Sequence, residues 1–359
     1  SVQDHTACNL CVKLAADHGF GSLRGFVNGV LRNIARNKDS IVFPDQEKDK
    51  RAYYSVMYSV PEELLEILER DYDYETIDRI LASGDSDRPT AIRVNTEKIS
   101  VTAFSEKLRQ NGITVERGSM NDTSLLISGY DYIRKVPGFF DGEFVVQDQS
   151  SCLAVKAAGI NEGDLVVDVC AAPGGKTMYA AMLTGSEGHV ISRDLTDKKT
   201  ELIEENIERL GLSNVTVQVH DAREFDEELT GKADVVIADL PCSGLGIMGR
   251  KNDIKYHVSM ESVKELAQLQ REILDTVCRY VKPGGTLVYS TCTIDSIEND
   301  ENAVWFADTH DFSLCGIDDV VPEHGGERGF VTLHQGIDEC DGFFISKFRA
   351  DSNNQIGQE

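Results

Sequence analysis

Two cysteines follow predicted buried strands and could act as nucleophiles. Cys242 ends the segment DLPC that begins at Asp239, and Cys292 follows the next predicted strand. A lone cysteine is more often a small buried hydrophobic residue than a reactive one. Two cysteines in turns at the ends of neighbouring strands, one of them close to Asp239, instead favour catalysis by at least one thiolate.

Aspartates fall within or just after four consecutive predicted strands. Asp168 lies in the first strand and Asp194 ends the second. Asp221 follows the third strand and Asp239 ends the fourth. One such acid is an ordinary cap or turn residue, but a series at the same edge of a parallel sheet indicates a ligand site. Asp194 lies about 20 residues beyond a glycine turn, where a carboxylate can accept hydrogen bonds from ribose hydroxyl groups.

The glycine turn lies in residues 165–177, which read LVVDVCAAPGGKT. Glycine lets a ligand approach the backbone closely, and the N-terminus of the following helix offers N–H groups without intrahelical partners. The turn lacks the full GxGxxG pattern, and its lysine is not in a GxxxxGK[ST] frame, so NAD and ATP fit less well than S-adenosylmethionine. The predicted cofactor-binding residues of the turn are Cys170, Ala171, Ala172, Pro173, Gly174, Gly175 and Lys176.

The elements that must position these residues alternate between strands and helices from residue 142 onward. Such alternation predicts an α/β fold with a mainly parallel sheet, helices on both faces and ligands at the carboxyl ends of the strands. We expect a helical region at 1–58, a small α/β module at 59–142, a catalytic domain at 143–350 and a disordered polar tail at 351–359. We also expect further sequence to precede the helical region, whose apolar face otherwise has little to pack against.

The net charge of the 359-residue chain is −25. This argues against a nucleic-acid ligand, because phosphate binding requires Lys and Arg. Basic clusters nevertheless occur, and the one formed by Arg250, Lys251 and Lys255 follows Cys242 closely. Most such clusters are solvated surface, but the position of this one favours contact with phosphate. No apolar run approaches the roughly 18 residues that a membrane span requires.

The nine cysteines are scattered, which is typical of a reducing compartment and predicts a cytoplasmic location. Cys8 and Cys11 form a CxxC pair, but no second pair completes a zinc set, so no metal site is predicted. The cysteines assigned to packing include Cys152, Cys170, Cys278, Cys315 and Cys340. Cys170 is the strongest candidate for an exception because it borders the glycine turn.

Several longer motifs resemble those of the cytosine-C5 RNA methyltransferases of the RsmB (Sun/Fmu) family, within the NOL/NOP/Sun superfamily. They are RVN at 93–95, VVQDQSS at 145–151, VVDVCAAPGGKT, RDLTDKK, HDAREF, DLPCSGLGIMGRKNDIKY and YSTCTIDSIENDENAV. Residues 25–33, GFVNGVLRN, resemble the end of the NusB-like RNA-binding domain of that family, whose start is expected to be missing. The resemblance points to the bacterial ribosomal RNA enzyme rather than to its eukaryotic relatives.

The resemblance implies a Rossmann-like class I methyltransferase with a seven-stranded sheet, S-adenosylmethionine as cofactor and 16S ribosomal RNA as substrate. Cys292 would add to C6 of cytosine, and Cys242 would assist release of the methylated product. Asp239 would contact the amino group of the cofactor or the cytosine edge. Asp194 would hold the ribose, and Asp221 the adenine amino group. The target cytosine must leave its stack to meet both thiols, so single-stranded or flipped RNA is expected, bound by a monomer.

Three other classes of protein are weighed against this one. In DNA cytosine-C5 methyltransferases the cysteine of a Pro-Cys pair, here Pro241-Cys242, attacks and an acid of an ENV-type motif assists. Here Glu298 follows the Thr291-Cys292 pair and lies on a different element. A methyltransferase that acts on an amino group would need an N/DPPY/F-type turn, which the DLPC segment does not match. A non-catalytic NusB-like RNA-binding protein would need neither Cys242 nor Cys292.

Overall fold

The computed structural model describes residues 3–85, 88–322, 324 and 326–352. The chain divides into two compact units, Ser1–Ser59 and Val60–Glu359. The predicted tail at 351–359 lies outside the described residues from 353 onward. Within the described residues, no helix is both long enough and apolar enough to cross a membrane.

The first unit is helical, as its periodicity predicts. Its helices are α1 (Asp4–Asp17), α2 (Arg24–Asn37) and α3 (Lys50–Met57). Phe26, Val30 and Ile34 recur on one face of α2 and are all exposed, so the apolar face of this helix is uncovered within the unit. The assignment of this region to a NusB-like domain stays a prediction.

A small α/β module opens the second unit. Its four-stranded antiparallel sheet has the order β2-β3-β1-β4 and packs on α6 through buried residues that include Ile92, Phe104 and Phe144. Strand β4 lies beyond residue 142, so this sheet draws a strand from past the predicted boundary. The elements are α4 (Glu62–Asp71), α5 (Tyr74–Ala82), β1 (Thr90–Val94), α6 (Val101–Gln110), β2 (Thr114–Arg117), β3 (Ser124–Ser128) and β4 (Phe144–Val146).

The large sheet confirms the predicted α/β fold. Its strands run in the order β10-β12-β9-β8-β5-β6-β7, which is the seven-stranded path expected, and a short eighth strand, β11, pairs with β12. Neighbours from β9 to β7 are parallel, whereas β12 is antiparallel to β9. The strands are β5 (Leu165–Asp168), β6 (His189–Asp194), β7 (Val215–Val219), β8 (Ala233–Asp239), β9 (Val281–Thr291), β10 (Phe312–Leu314), β11 (Phe330–Leu333) and β12 (Phe343–Ala350).

Helices cover both faces of this sheet. Adjacent residues of β5 face opposite ways, so Val167 packs in one apolar cluster with Leu274 and Phe306, and Val166 packs in the other with Tyr179. Strands buried on both faces explain why the sequence shows short continuous apolar runs rather than alternation. The helices are α7 (Gln149–Ala158), α8 (Gly175–Thr184), α9 (Asp197–Leu210), α10 (Met260–Val277) and α11 (Asp300–Thr309).

The topology brings the candidate site to one edge. Strands β5, β6, β8 and β9 are parallel neighbours, so the turns that follow them open at the same carboxyl edge of the sheet. Strand β9 begins at Val281, earlier than the predicted start at residue 286, because Val281 pairs with Ala233 ahead of a register shift. Its carboxyl end, which matters for the site, lies at Thr291, next to Cys292.

Candidate active site

The glycine turn joins β5 to α8 and is hydrogen-bonded to the side chain of Asp194. Gly174 has φ +100°, a conformation that residues with a Cβ atom rarely adopt, so glycine is favoured at this position. The main-chain N–H of Ala172 donates to Oδ2 of Asp194 at 2.9 Å. The other oxygen of Asp194 accepts from the N–H of Leu195 at 2.7 Å. The turn and the end of β6 therefore form one rigid unit.

A cleft of about 190 Å³ opens beside this turn. Most of the residues predicted for the cofactor line it, together with Gln147 and Asp148, which precede α7, and Ser151 in its first turn. The VVQDQSS motif is the signal in the sequence that could have identified these three residues. The lining residues are Val146, Gln147, Asp148, Ser151, Asp168, Cys170, Ala171, Ala172, Pro173, Gly175, Lys176 and Asp239.

Lys176 and Asp239 form an ion pair inside the cleft. Nζ of Lys176 lies 2.6 Å from Oδ2 of Asp239 and 2.9 Å from Oγ of Ser151. The hydroxyl group of Ser290 donates to the other oxygen of Asp239 at 2.8 Å. Lys176 is only 7% exposed, so its ammonium group is held in place by these partners. Asp239 is thereby fixed between the glycine turn and the end of β9.

Asp168 is fully buried and is hydrogen-bonded to the first turn of α8. Its Oδ2 accepts a hydrogen bond from Oγ1 of Thr177 at 2.7 Å, and its Oδ1 has no partner among the described residues. Burial raises the pKa of this carboxyl group to about 7, against the opposing effects of Thr177 and Lys176. Asp168 therefore titrates near neutral pH.

Asp194 and Asp221 lie at the carboxyl ends of neighbouring strands, as predicted, but outside the lining of the small cleft. The N–H of His220 donates to the carbonyl of Asp194 at 2.9 Å, which joins the two strand ends. Arg223 forms a salt bridge with Asp221 at 2.6 Å and, through hydrogen bonding, lowers the pKa of that carboxyl group. The carboxyl group of Asp221 is therefore ionised at neutral pH.

The two predicted catalytic cysteines meet at the same edge. Their sulfur atoms lie 3.3 Å apart, and neither forms a disulfide. The hydrogen bond between the thiols, followed by burial, raises the pKa of Cys242, and the same hydrogen bond lowers the pKa of Cys292. Within this pair, Cys292 is the thiol that ionises first. A thiolate is the nucleophilic form of cysteine.

Glu298 is the residue that sequence reasoning set aside and the structure brings to the site. It lies on a different element from Cys242, as expected, but its Oε2 accepts from the N–H of Ser243 at 2.9 Å. Burial raises the pKa of Glu298 to about 7, against the opposing hydrogen bonds from Ser243 and Gln270. The contact spans 55 positions of the chain, so no local pattern in the sequence could have indicated it.

The predicted RNA-contacting cations differ from one another in their surroundings. Nε of Arg250 lies 2.7 Å from Oδ2 of Asp341, and its Nη2 lies 3.5 Å from Oδ2 of Asp148. Its charge is therefore already matched by two acids of the protein. Lys251 is exposed, and Lys255 is half-buried with Nζ 5.4 Å from the ring centroid of Tyr256.

The donor set fits S-adenosylmethionine. The cleft beside the turn is lined by the small residues Ala171, Ala172 and Gly175, and also by Asp168, whose Oδ1 has no partner among the described residues. A carboxylate such as Asp194 at the end of the second strand is of the type that accepts from ribose hydroxyl groups. Among the described residues, no group of three or more His, Cys, Asp or Glu side chains is placed to hold a metal ion. The sheet, the glycine turn and the aligned acids together define an S-adenosylmethionine-dependent methyltransferase of the Rossmann-like class.

Comparison with known proteins narrows this class. Residues 156–349 match the family described as 16S rRNA methyltransferase RsmB/F, and residues 60–131 match the ferredoxin-like domain of RsmF/B-like methyltransferases. The chain is 35% identical to the probable ribosomal RNA small subunit methyltransferase B of Bacillus subtilis strain 168, over 97% of this chain and 78% of that protein. It is 32% identical to the ribosomal RNA small subunit methyltransferase F of Escherichia coli strain SMS-3-5 / SECEC, over 76% of this chain and 60% of that protein.

A solved structure agrees with the sequence relatives. The crystal structure of PH0851 superposes with a TM-score of 0.83 at 27% identity, covering 94% of this chain and 75% of that one. The chain belongs to the RsmB/F family of methyltransferases, which confirms the resemblance inferred from the motifs.

Proposed function

We propose that this protein transfers a methyl group from S-adenosylmethionine to C5 of a cytosine in bacterial 16S ribosomal RNA, through a covalent adduct between Cys292 and C6. The observation that supports this most strongly is the pair of thiols, 3.3 Å apart, at the strand ends beside Asp239. Methyl transfer to an oxygen or an amino nitrogen would need no cysteine nucleophile. Addition to a cytosine ring explains why one is present.

The chemistry gives each thiol a task. C5 of cytosine is a poor nucleophile until the thiolate of Cys292 adds to C6, which breaks the C5–C6 double bond and makes C5 enamine-like. The cofactor would supply a methyl group on a positively charged sulfur. C5 would form a bond to that methyl carbon while the sulfur–methyl bond breaks, which leaves S-adenosylhomocysteine. Loss of the C5 proton to solvent then allows the Cys292–C6 bond to break, with its electrons returning to sulfur, and the double bond to re-form. Cys242 assists this last step, in which the methylated RNA is released.

Asp239 is suited to hold the cytosine edge or the amino group of the cofactor. Its two oxygens already accept hydrogen bonds from Lys176 and Ser290, which fixes the plane of the carboxylate. A fixed carboxylate stabilises positive charge that develops on the ring while C6 is bonded to sulfur. The turn residues 170–176 would hold the methionine end of the cofactor, Asp194 its ribose and Asp221 its adenine amino group.

Ribosomal RNA as the substrate is supported by the family description and by the names of the relatives in Bacillus subtilis and Escherichia coli. A base in a duplex cannot reach both thiols, so the target is a single-stranded or flipped cytosine. The acidic net charge of −25 means that contact with phosphate must be local. Action as a monomer and a cytoplasmic location stay predictions from the sequence.

A labelling assay tests the proposal. The protein is incubated with S-adenosylmethionine carrying a labelled methyl group, together with 16S ribosomal RNA, 23S ribosomal RNA or DNA. We expect label in 16S RNA, recovered after nuclease digestion as 5-methylcytidine. Label in DNA would indicate a DNA cytosine methyltransferase, and label on an exocyclic amino group would exclude the covalent route. Absence of label from all three nucleic acids would favour the non-catalytic RNA-binding alternative.

A further inference from the structure

The side chain of Glu298 is hydrogen-bonded to the main chain next to Cys242. Its Oε2 accepts from the N–H of Ser243 at 2.9 Å and from Nε2 of Gln270 at 2.9 Å. The same Nε2 of Gln270 donates to the carbonyl of Pro241 at 2.9 Å. Pro241 and Ser243 are the immediate neighbours of Cys242. The loop that carries this thiol is thus held on both sides by one carboxylate–amide pair.

The side chains that hold the Cys242 loop are themselves fixed by further hydrogen bonds. Oε1 of Gln270 accepts from the hydroxyl group of Tyr289 at 3.0 Å and from Nδ2 of Asn302 at 2.9 Å. Because both of these partners are donors, the amide of Gln270 must turn its nitrogen toward Pro241 and Glu298. The single hydroxyl proton of Tyr289 is shared between Oε1 of Gln270 and the carbonyl oxygen of Glu298. Gln270, Tyr289, Glu298 and Asn302 are each 0% exposed, so the network is shielded from water, which strengthens its electrostatic effect.

The charge of Glu298 lies on one side of the thiol pair. Its carboxylate reaches the residue after Cys242, whereas the carbonyl of Cys292 accepts from the N–H of Gly246 at 3.0 Å. Within the described residues, Glu298 makes no hydrogen bond to Cys292. A negative charge favours a neutral neighbour. After the thiol–thiol hydrogen bond, burial and the charge of Cys292, the negative charge of Glu298 also raises the pKa of Cys242, whereas the largest charge effects on the pKa of Cys292 come from Asp239 and Lys176.

We propose that Glu298 is a positioning residue that fixes the Cys242 loop and keeps the proton of the thiol pair on Cys242, so that Cys292 is the thiolate that attacks. The proton stays on the sulfur of Cys242 and is donated in a hydrogen bond to the sulfur of Cys292. The inference rests on the proposed function in one respect, the role of Cys292 as nucleophile. Glu298 itself touches neither thiol.

Two substitutions separate the effect of the charge of Glu298 from the effect of the length of its side chain. Glu298→Gln keeps the length of the side chain and its acceptor for Ser243 but removes the charge. Glu298→Asp keeps the charge but is too short to hold the loop. Glu301→Gln, at an exposed site in the first turn of α11, is the matched control. Thermal denaturation establishes that each variant is folded.

The first readout needs no RNA. The full chain is treated with limiting iodoacetamide at pH 8, and modification of Cys242 and Cys292 is measured by mass spectrometry. In the wild type and in Glu301→Gln, Cys292 is modified faster. In Glu298→Gln the ratio of Cys292 to Cys242 modification falls about tenfold, as expected for a pKa difference that shrinks by one unit. In Glu298→Asp the ratio stays close to that of the wild type.

The second readout is turnover on 16S RNA. Both Glu298 variants lower kcat about tenfold, and the KM for S-adenosylmethionine is unchanged because Glu298 does not line the cofactor cleft. An unchanged thiol ratio in Glu298→Gln would overturn the inference, even if its activity fell. If the wild type modifies no RNA, the proposed function fails, yet the alkylation ratio still reports on Glu298.

A pH series provides the same test without substitutions. Protonation of Glu298 below about pH 7 should reduce the preference for Cys292 in the wild type. The other charged groups that influence the thiols are Asp239 and Lys176, and Asp295 lies close enough to influence Glu298. This series decides the matter if Glu298→Gln does not fold. A preference for modification of Cys292 over Cys242 that does not change between pH 5.5 and pH 8.5 would then contradict the inference.

Discussion

The sulfur atoms of Cys242 and Cys292 lie 3.3 Å apart, although 50 positions of the chain separate the two residues. Parallel pairing of β8 with β9 produces this proximity, because Asp239 is in register with Ser290 and each cysteine follows its strand by a few residues. The N–H of Gly246 then donates to the carbonyl of Cys292 at 3.0 Å, which ties the two loops together. The chemistry proposed for the pair depends on this geometry.

Substitution of Gly246 should separate the loops. A Cβ atom at this position would lie 2.0 Å from the carbonyl oxygen of Gly342 and 2.9 Å from that of Cys292. Backbone atoms cannot yield easily, so Gly246→Ala must displace the loop that carries Cys242. We expect kcat for methylation to fall at least tenfold, on the order of the loss that a 1 Å misplacement can cause. Steady-state kinetics with labelled cofactor measure it.

The control for Gly246→Ala is Gly29→Ala in α2, where a Cβ atom would meet nothing within 4 Å. This variant should keep the kcat of the wild type. Gly246→Ala with wild-type kcat would show that the close approach of the two loops does not position the thiols.

Arg250 and Lys251 are adjacent, but their substitutions should have different effects. Arg250→Ala leaves Asp341 with one fewer charged partner inside the protein, so the free energy of unfolding should fall by about 1–2 kcal/mol. Lys251→Ala removes an exposed charge and should leave stability nearly unchanged. If Lys251 contacts phosphate, its loss lowers the slope of log K against log salt for RNA binding by about 1.

Denaturant unfolding and filter binding across salt concentrations measure these two effects. The ion pairs of Arg250 predict that its substitution leaves the salt slope unchanged. A reduced slope in Arg250→Ala, with stability unaffected, would instead support the contact with RNA that the sequence predicts for Arg250.

Asp168 should make stability depend on pH near neutrality. Its pKa in the folded protein is raised to about 7 by burial, whereas an aspartate in an unfolded chain titrates near 3.9. A raised folded pKa stabilises the fold below the unfolded value, and this contribution is lost as pH rises through about 7. Asp168→Asn does not titrate, so its Tm should rise relative to the wild type between pH 4.5 and pH 8.

Differential scanning calorimetry at several pH values checks this prediction. Asp131→Asn, at an exposed site, is the control and should follow the wild type throughout. A difference in Tm between Asp168→Asn and wild type that is constant with pH would contradict the raised pKa.

The large sheet and the glycine turn could be predicted from the sequence because local patterns encode both. The run at 165–177 combines an apolar strand, two glycines and a helix start, and acids lie in or just after four of the strands, namely Asp168, Asp194, Asp221 and Asp239. Resemblance to a known family assigned the two thiols. Their proximity required only that two consecutive strands of the sheet be parallel neighbours, which the alternation of strands and helices indicates.

Contacts between distant segments could not be predicted in this way. The hydrogen bond from Ser243 to Glu298 and the ion pair of Arg250 with Asp341 join loops far apart in the chain. In the sequence, Glu298 is an acid with no evident relation to Cys242, and Arg250 belongs to a basic cluster that is predicted to contact phosphate. Strand β4 was missed because three residues are too few to show a period.

The most direct test of covalent catalysis by Cys292 is a denaturing gel of Cys242→Ala after incubation with 16S RNA and labelled S-adenosylmethionine. We predict a slowly migrating, nuclease-sensitive band that joins protein to methylated RNA, because Cys242 is no longer present to assist release. The band should be absent from Cys292→Ala and from the double variant. An adduct in Cys292→Ala instead would reverse the roles of the two thiols, and methylated RNA formed by Cys292→Ala would contradict the covalent mechanism.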